Sequence, residues 1–437
     1  MTDAGSFESA VKYEALAASA MPSPPARLEC AETTPLVFIP ANIDRIMRTY
    51  LQKPRKQVSG TKSKKGVGRC AKVTVAESVR QRRKPNAVRS FSAEQKIPSF
   101  TQAIDTRTWF SESTNSETLQ FDTQHEDMIH DAQLDYYGKR LATCSSDGTI
   151  HIFEINGKQQ KFVETLKEHS GPVWQVSWAH PKFGSVLASC SYDGTVLIWK
   201  ETAGSGFSVI KKHDKHQASV NAIAWAPHEL GPVLLCGSSD GKISLLTFTE
   251  EGVWDAQIIR NAHATGVNAV SWAPVIAAGA FAQPGATQKA SLVKQFASGG
   301  CDQNIKIWAY SDEKKSYDVI KVLEGHGDWV RDVAYAPNIG LPRTYLASCS
   351  QDKNVYIWTQ DSPVAKGAGS GAASAAEWSR TQLSSTPFPD VVWRVSWSMS
   401  GNVLAVSCGD NKITLWKENL KGEWERISEI NENGQRA

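Results

Sequence analysis

No stretch of the 437-residue chain approaches eighteen consecutive apolar residues, so none is long enough to span a membrane as a helix. The first residues, MTDAGSFESA, have neither a basic opening nor an apolar core, and no secretory signal is expected. Eight cysteines include no C-x-x-C pair. Six of them (Cys144, Cys190, Cys236, Cys301, Cys349, Cys408) fall in or just after one recurring apolar segment. There they read as small buried hydrophobes in a reducing compartment. A phosphate loop and a nucleophile elbow are both missing. Gly66-Val67-Gly68-Arg69-Cys70-Ala71 fits a dinucleotide pattern loosely, but no strand precedes it and no helix or acid frames it. The expectation is a soluble cytosolic or nuclear protein, not an enzyme, with no cofactor and no metal.

Charge is scarce in net and uneven in place. The formal net charge is +3, yet residues 51–90 carry thirteen Lys or Arg against Glu77 alone. A basic segment is thus attached to a mildly acidic body. Residues 1–118 mix Ser, Pro, Lys and Arg without sustained periodicity and read as a mostly disordered, basic extension. Arg80-Gln81-Arg82-Arg83-Lys84-Pro85 fits a nuclear-localisation or anionic-surface patch, although a solvated tail explains it as well. No direct nucleic-acid contact is expected.

What the chain has in quantity is tryptophan, fifteen residues, and their positions repeat. Aligned on a turn Asp, copies read LATCSSDGTIHIF, LASCSYDGTVLIW, LLCGSSDGKISLL, FASGGCDQNIKIW, LASCSQDKNVYIW and LAVSCGDNKITLW. Their aspartates are Asp147, Asp193, Asp240, Asp302, Asp352 and Asp410. Asp with Gly or Asn is the chemistry of a tight hairpin, because these residues tolerate positive φ. Six residues after each Asp stands a large apolar residue: Phe153, Trp199, Leu246, Trp308, Trp358 or Trp416. Upstream lies another strand, usually introduced by His, as in EHSGPVWQVSWAHP and GHGDWVRDVAYAP. Downstream an aromatic opens a further strand: Phe162, Phe207, Trp254, Tyr317, Trp378 or Trp424. Each repeat therefore has four strands, a to d, the WD-repeat pattern of propeller blades. The fold class is all-β, a six-bladed WD-repeat β-propeller over 119–432, with a short tail at 433–437. Two loops are expected as inserts, at 274–290 and 361–376.

Within a blade, the His, a strand-b Ser or Thr, the turn Asp and the strand-c Trp are placed to form a buried hydrogen-bonded tetrad. Three copies are complete: His169/Ser189/Asp193/Trp199, His263/Ser298/Asp302/Trp308 and His326/Ser348/Asp352/Trp358. The first blade keeps His125, Thr143 and Asp147 but has Phe153. The third has Cys236 and Leu246, and the sixth Phe388 and Val406; there apolar residues are expected to replace the polar partners. Read as hydrolase triads the sets fail, since they recur once per blade. His213 and His216 read as a solvated loop rather than a metal site.

The last blade has its own strand d, EWERISEI, so no blade waits for a strand from the N-terminus. ETLQFDTQ (117–124) is placed to add a strand beside blade one. Periodicity alone allows a closed ring or one open between blades six and one, where an unfilled slot would expose blade faces.

HEDMIHDAQLDYYGKRLATCSSDGTI (125–150) and GPVWQVSWAHPKFGSVLASCSYDGTVLIWKE (171–201) resemble the Sec thirteen family, the small WD-repeat subunit of the COPII outer coat. The likeness covers about 120–430. A Seh-type nucleoporin is the alternative, and the run from Gly171 to Glu201 favours the coat family. Residues 1–118 depart from the family. The resemblance implies an open propeller completed in trans by strands that an α-solenoid partner inserts as a seventh blade. That partner would be a Sec thirty-one-type COPII subunit or a Nup one-forty-five C-type nucleoporin of the Y-shaped nuclear pore scaffold. A coat-like nutrient-signalling complex is a further implied partner. The implied locations are the cytoplasmic face of the ER and COPII vesicles, with indirect membrane contact, and the nuclear pore. By position, slot-flanking residues are expected at Met128, Ile129, His130 and Leu134 of blade one, and at Val392, Trp393, Val395, Trp397 and Trp416 of blade six. A ubiquitin-ligase receptor is disfavoured, because Lys200, Ala309, Thr359 and Lys417 follow the strand-c Trp where such receptors carry Asp.

Overall fold

The computed structural model describes residues 72–76, 118–157, 159–202, 204–275, 292–337, 343–361 and 377–431. Most of the basic extension, the inserts at 276–291 and 362–376, and the final tail lie outside the described residues.

Two strands precede the blades: β1 (Lys72–Ala76) and β2 (Thr118–Asp122), which pair antiparallel with Val73 opposite Phe121. β1 is a short strand within the extension 1–118 that reads as mostly disordered. Blade one is β3 (Ile129–Leu134), β4 (Arg140–Ser145), β5 (Ile150–Asn156) and β6 (Gln159–Leu166). Blade two is β7 (Val173–Trp178), β8 (Val186–Ser191), β9 (Val196–Thr202) and β10 (Gly206–His213). Blade three is β11 (Val220–Trp225), β12 (Val233–Ser238), β13 (Ile243–Phe248) and β14 (Trp254–Ile259). Blade four is β15 (Val267–Trp272), β16 (Gln295–Gly300), β17 (Ile305–Ser311) and β18 (Ser316–Leu323). Blade five is β19 (Val330–Tyr335), β20 (Arg343–Ser350), β21 (Val355–Asp361) and β22 (Trp378–Gln382). Blade six is β23 (Val392–Trp397), β24 (Val403–Cys408), β25 (Ile413–Glu418) and β26 (Trp424–Ile430). Each blade is one antiparallel sheet of four strands in chain order, so the chain forms a six-bladed β-propeller.

Local chemistry explains the repetition. The residue after each turn Asp has positive φ in all six copies: Gly148, Gly194, Gly241, Gln303, Lys353 and Asn411. Glycine meets this need without strain in the first three, whereas Gln303 and Lys353 adopt it with side chains. Every a–b pairing also carries one β-bulge near its start, which sets His130, Trp174, Asn221, Asn268, Arg331 and Trp393 out of the ladder.

Alternation along the strands gives each blade two apolar faces. Ala142, Cys144, Ile150 and Ile152 of blade one pack with Val173, Val176, Leu187 and Trp199 of blade two. Equivalent shared clusters join blades two and three, three and four, four and five, and five and six. Cys144, Cys190, Cys236, Cys349 and Cys408 lie in these layers, and all six described cysteines, the half-buried Cys301 included, are free thiols. Burial pushes the thiols of Cys144, Cys236 and Cys349 well up.

Candidate functional site

The tetrads form where expected. In blade two the Trp199 indole donates to Ser189 Oγ at 2.9 Å, and Ser189 Oγ lies 2.8 Å from His169 Nε2. His169 Nδ1 is 3.1 Å from Asp193 Oδ2. Because the carboxylate only accepts, Nδ1 carries the proton and Ser189 donates to Nε2. Blade four repeats the chain through Trp308, Ser298, His263 and Asp302, with distances of 2.9, 2.7 and 2.8 Å. Blade five does so through Trp358, Ser348, His326 and Asp352, at 2.9, 2.8 and 3.0 Å. Burial alone would raise Asp193, but bonds from His169, Thr195 and two backbone N–H groups hold it well below the usual carboxylate range. Asp302 and Asp352 are lowered in the same way against burial, first by His263 and His326. Ser189, Ser298 and Ser348 are fully buried, so no substrate reaches their hydroxyls.

Two blades correct the expectation that apolar residues replace the polar set. In blade three the hydroxyl has moved across the ladder. Cys236 stands opposite Ser244, and Ser244 Oγ is 2.8 Å from His216 Nε2 and 3.1 Å from His213 Nε2. In blade six Val406 stands opposite Thr414, whose Oγ1 accepts from the Trp416 indole at 2.9 Å. His213 and His216, read from sequence as a solvated loop, are buried. Among the described residues no group of three or more His, Cys, Asp and Glu is arranged to hold a metal ion.

The seam between blades six and one differs from the other five. The blade-one face turned away from blade two is formed by Ile129, Ala132, Leu134, Leu141, Phe153 and Ile155, and its cluster takes in Phe121 from β2 but nothing from blade six. The blade-six face turned away from blade five is Val403, Ala405, Ile413, Leu415 and Ile430, clustered only with its own Ile427. A second series is interrupted at the same seam and also at blade five, whose strand a ends in Tyr335 with a buried, unpartnered hydroxyl. The last aromatic of strand a donates its indole N–H back to the previous blade in four places: Trp178 to Gln133 O, Trp225 to Ser177 O, Trp272 to Ala224 O and Trp397 to Ala334 O, at 2.9 to 3.0 Å. Blade one has Leu134 at this position, which has no donor.

β2 explains part of the seam. It ends three residues before His125, as β6, β10 and β18 end three residues before His169, His216 and His326. It therefore stands where strand d of a preceding blade belongs, and its Phe121 is buried against blade one. The expected strand at 117–124 thus exists, but it pairs with β1.

Of the residues expected to flank the slot, Ile129 and Leu134 lie on the blade-one face of the seam. Met128 is exposed. His130 turns toward blade two, packing edge-on against Trp174 at 4.4 Å and lying 2.6 Å from Ser146 Oγ. Burial, then the Arg394 charge, lowers His130 to about 4. Val392, Val395, Trp397 and Trp416 are a correction: they pack against Ala347, Cys349 and Ile357 of blade five. Strand alternation sends them to that face, and the seam receives Val403, Ala405, Ile413 and Leu415 instead. Trp393 is exposed. Sequence reasoning missed the charges at the axis, a buried Asp131 with half-buried Asp332 and Arg394. Burial works against the Arg394 cation, but Asp332 and then Asp131 outweigh it and raise its pKa. Burial raises Asp332 to about 6 and also raises Asp131, with Arg394 pulling both back. The signal was there, since Arg394 is the one charged residue in VVWRVSW.

The family model for the WD domain, G-beta repeat, matches residues 116–154, 160–200, 207–245, 317–359 and 381–417. Its first copy starts ahead of β2, in keeping with β2 as a strand d. The chain is 53% identical over 341 residues to the protein transport protein SEC13 of Mycosarcoma maydis, covering 71% of this chain and 94% of the relative. It is 60% identical over 309 residues to the protein of that name in Schizosaccharomyces pombe, covering 71% and 98%. With that of Yarrowia lipolytica the figures are 54% over 308 residues, covering 70% and 98%. Nearly the whole of each relative is matched at more than half identity, and the chain belongs to the Sec thirteen family.

Proposed function

We propose that the protein is a structural, non-enzymatic subunit of the COPII outer coat in ER-to-Golgi transport, and of the Y-shaped nuclear pore scaffold. It accepts a seventh blade from an α-solenoid partner, of the Sec thirty-one type in the coat and the Nup one-forty-five C type in the pore. The mechanism is strand addition, in which backbone pairing provides affinity and blade-face packing provides specificity. The partner is stiffened and membrane contact stays indirect. The observation that carries this reading is the seam: five neighbouring blade pairs share a core cluster, and blades six and one do not. The relatives named for protein transport supply the biological setting.

The test is affinity purification of the full chain, native mass spectrometry and identification of what co-purifies. A one-to-one unit with a strand-donating solenoid subunit is expected. A stable lone monomer whose blades six and one pair directly would sink the reading.

A further inference from the structure

The bulged residues of strand a form a series that runs round the ring. His130 of blade one packs on Trp174 of blade two, with ring centroids 4.4 Å apart. The Trp174 indole donates to Ser219 Oγ at the start of blade three at 2.8 Å. Asn221 Nδ2 donates to Val267 O of blade four at 2.9 Å, and Asn268 Nδ2 to Val330 O of blade five at 3.0 Å. The Arg331 guanidinium lies over the Trp393 ring of blade six at 4.7 Å. Each bulged side chain thus reaches forward to the next blade, near the start of that blade's strand a. The first five are half-buried. Trp393 is last, with no blade ahead of it, and it is 47% exposed, the only exposed tryptophan among the described residues. Arg331 fixes the ring from behind: it is held by Gln351 and also stacks on Trp329 at 5.1 Å.

We infer that Trp393 is the anchor for the innermost strand of a donated seventh blade, and that its indole N–H bonds an oxygen just ahead of that strand. Trp174, the same residue at the same bulge, supplies the geometry: its acceptor, Ser219, immediately precedes β11. The partner it fits is therefore a β-strand with a Ser or Thr hydroxyl, or a backbone carbonyl, directly before its bulge. A large, rigid aromatic with one polar atom is the residue type that dominates interface energetics. This rests on the preceding reading that a partner donates the blade.

The test uses the full chain with 5-fluorotryptophan, the Trp393 resonance being assigned with Trp393→Phe. The probe is the purified solenoid subunit recovered in the one-to-one complex. Addition of that subunit is expected to shift the Trp393 resonance. Trp393→Ala is expected to weaken binding at least about thirtyfold, and Trp393→Phe less, since it keeps the ring and loses the N–H. Because the side chain is exposed, both variants should melt as wild type does. Normal binding by Trp393→Ala with an unmoved resonance overturns the anchor and leaves the proposed function standing. If wild type recovers no such subunit, the proposed function falls, and the anchor with it.

Discussion

In blade two, Trp199, Ser189, His169 and Asp193 form one bonded chain. In blade six, Phe388 and Val406 hold the His and Ser places, and Trp416 turns to Thr414. Blade two shares core with neighbours on both faces, blade six with blade five only. At the axis, Gln175 Oε1 of blade two accepts from Ile223 N of the next blade at 2.8 Å. The matching residue of blade six, Arg394, has no next blade to serve and instead feels the charges of Asp332 and Asp131. The strand plan is constant, and the polar groups change with the neighbour each blade has to meet.

The sharpest way to break this comparison is to remove the hydroxyl from each blade. Ser189→Ala strands both His169 Nε2 and the Trp199 indole in a dry interior, at a cost of about 3 kcal/mol. Thr414→Val strands only the Trp416 indole and should cost about 1 kcal/mol. Urea unfolding of both variants measures the ratio. Equal losses would mean that the tetrad in blade two holds no more than the single bond in blade six.

The blades, their turns and three tetrads were legible because each rests on local pattern: Asp at the turn, aromatic residues at fixed offsets, alternation between. What stayed hidden depends on pairing across strands. Ser244 and Thr414 carry hydroxyls that look misplaced until register sets them opposite Cys236 and Val406. Val392, Val395 and Trp397 were assigned to the seam because strand position alone does not say which face meets which neighbour. β1 lies in a basic stretch whose composition argues against a strand, and only its partner β2 defines it.

A second break targets the axis. Arg394→Gln gives blade six the residue type of blade two and leaves Asp332 and Asp131 without their cation. Both Arg394 and Asp332 keep part of their surface open, so the cost falls below that of a dry ion pair, to about 2 kcal/mol at pH 7.5. The pH dependence has a definite sign. Asp332 has a folded pKa of about 6, above its unfolded 3.8, so its ionisation opposes folding. Its contribution is fully present below the unfolded value and is lost as pH rises through about 6. Without Arg394 the carboxylates hold their protons more tightly, so the variant should regain most of its loss at pH 5. Denaturant midpoints at the two pH values test this; an equal loss at both would detach Arg394 from the carboxylates.

The smallest expected effect lies at the end of strand d, where blade two has His213 and blade six Ile430, paired to Val196 and Ile413 in the same register. Blades one and four place Leu166 and Leu323 there, so the site is built for an apolar side chain. Burial, then the neighbouring His216, lowers His213 to about 4. The folded pKa lies below the unfolded value of 6.5, so the unfolded chain takes up the proton first as pH falls. The stability held by neutral His213 is complete above pH 6.5 and is lost as pH falls toward 4. His213→Ile removes that titration and gives up one bond to Ser244, whose hydroxyl keeps His216. The variant should match or fall slightly below wild type at pH 7.5. At pH 5 it should exceed wild type by on the order of 1 kcal/mol. Stability curves that stay parallel between pH 7.5 and 4.5 would show that His213 titrates alike in both states, and that blade two treats its histidine as blade six treats Ile430.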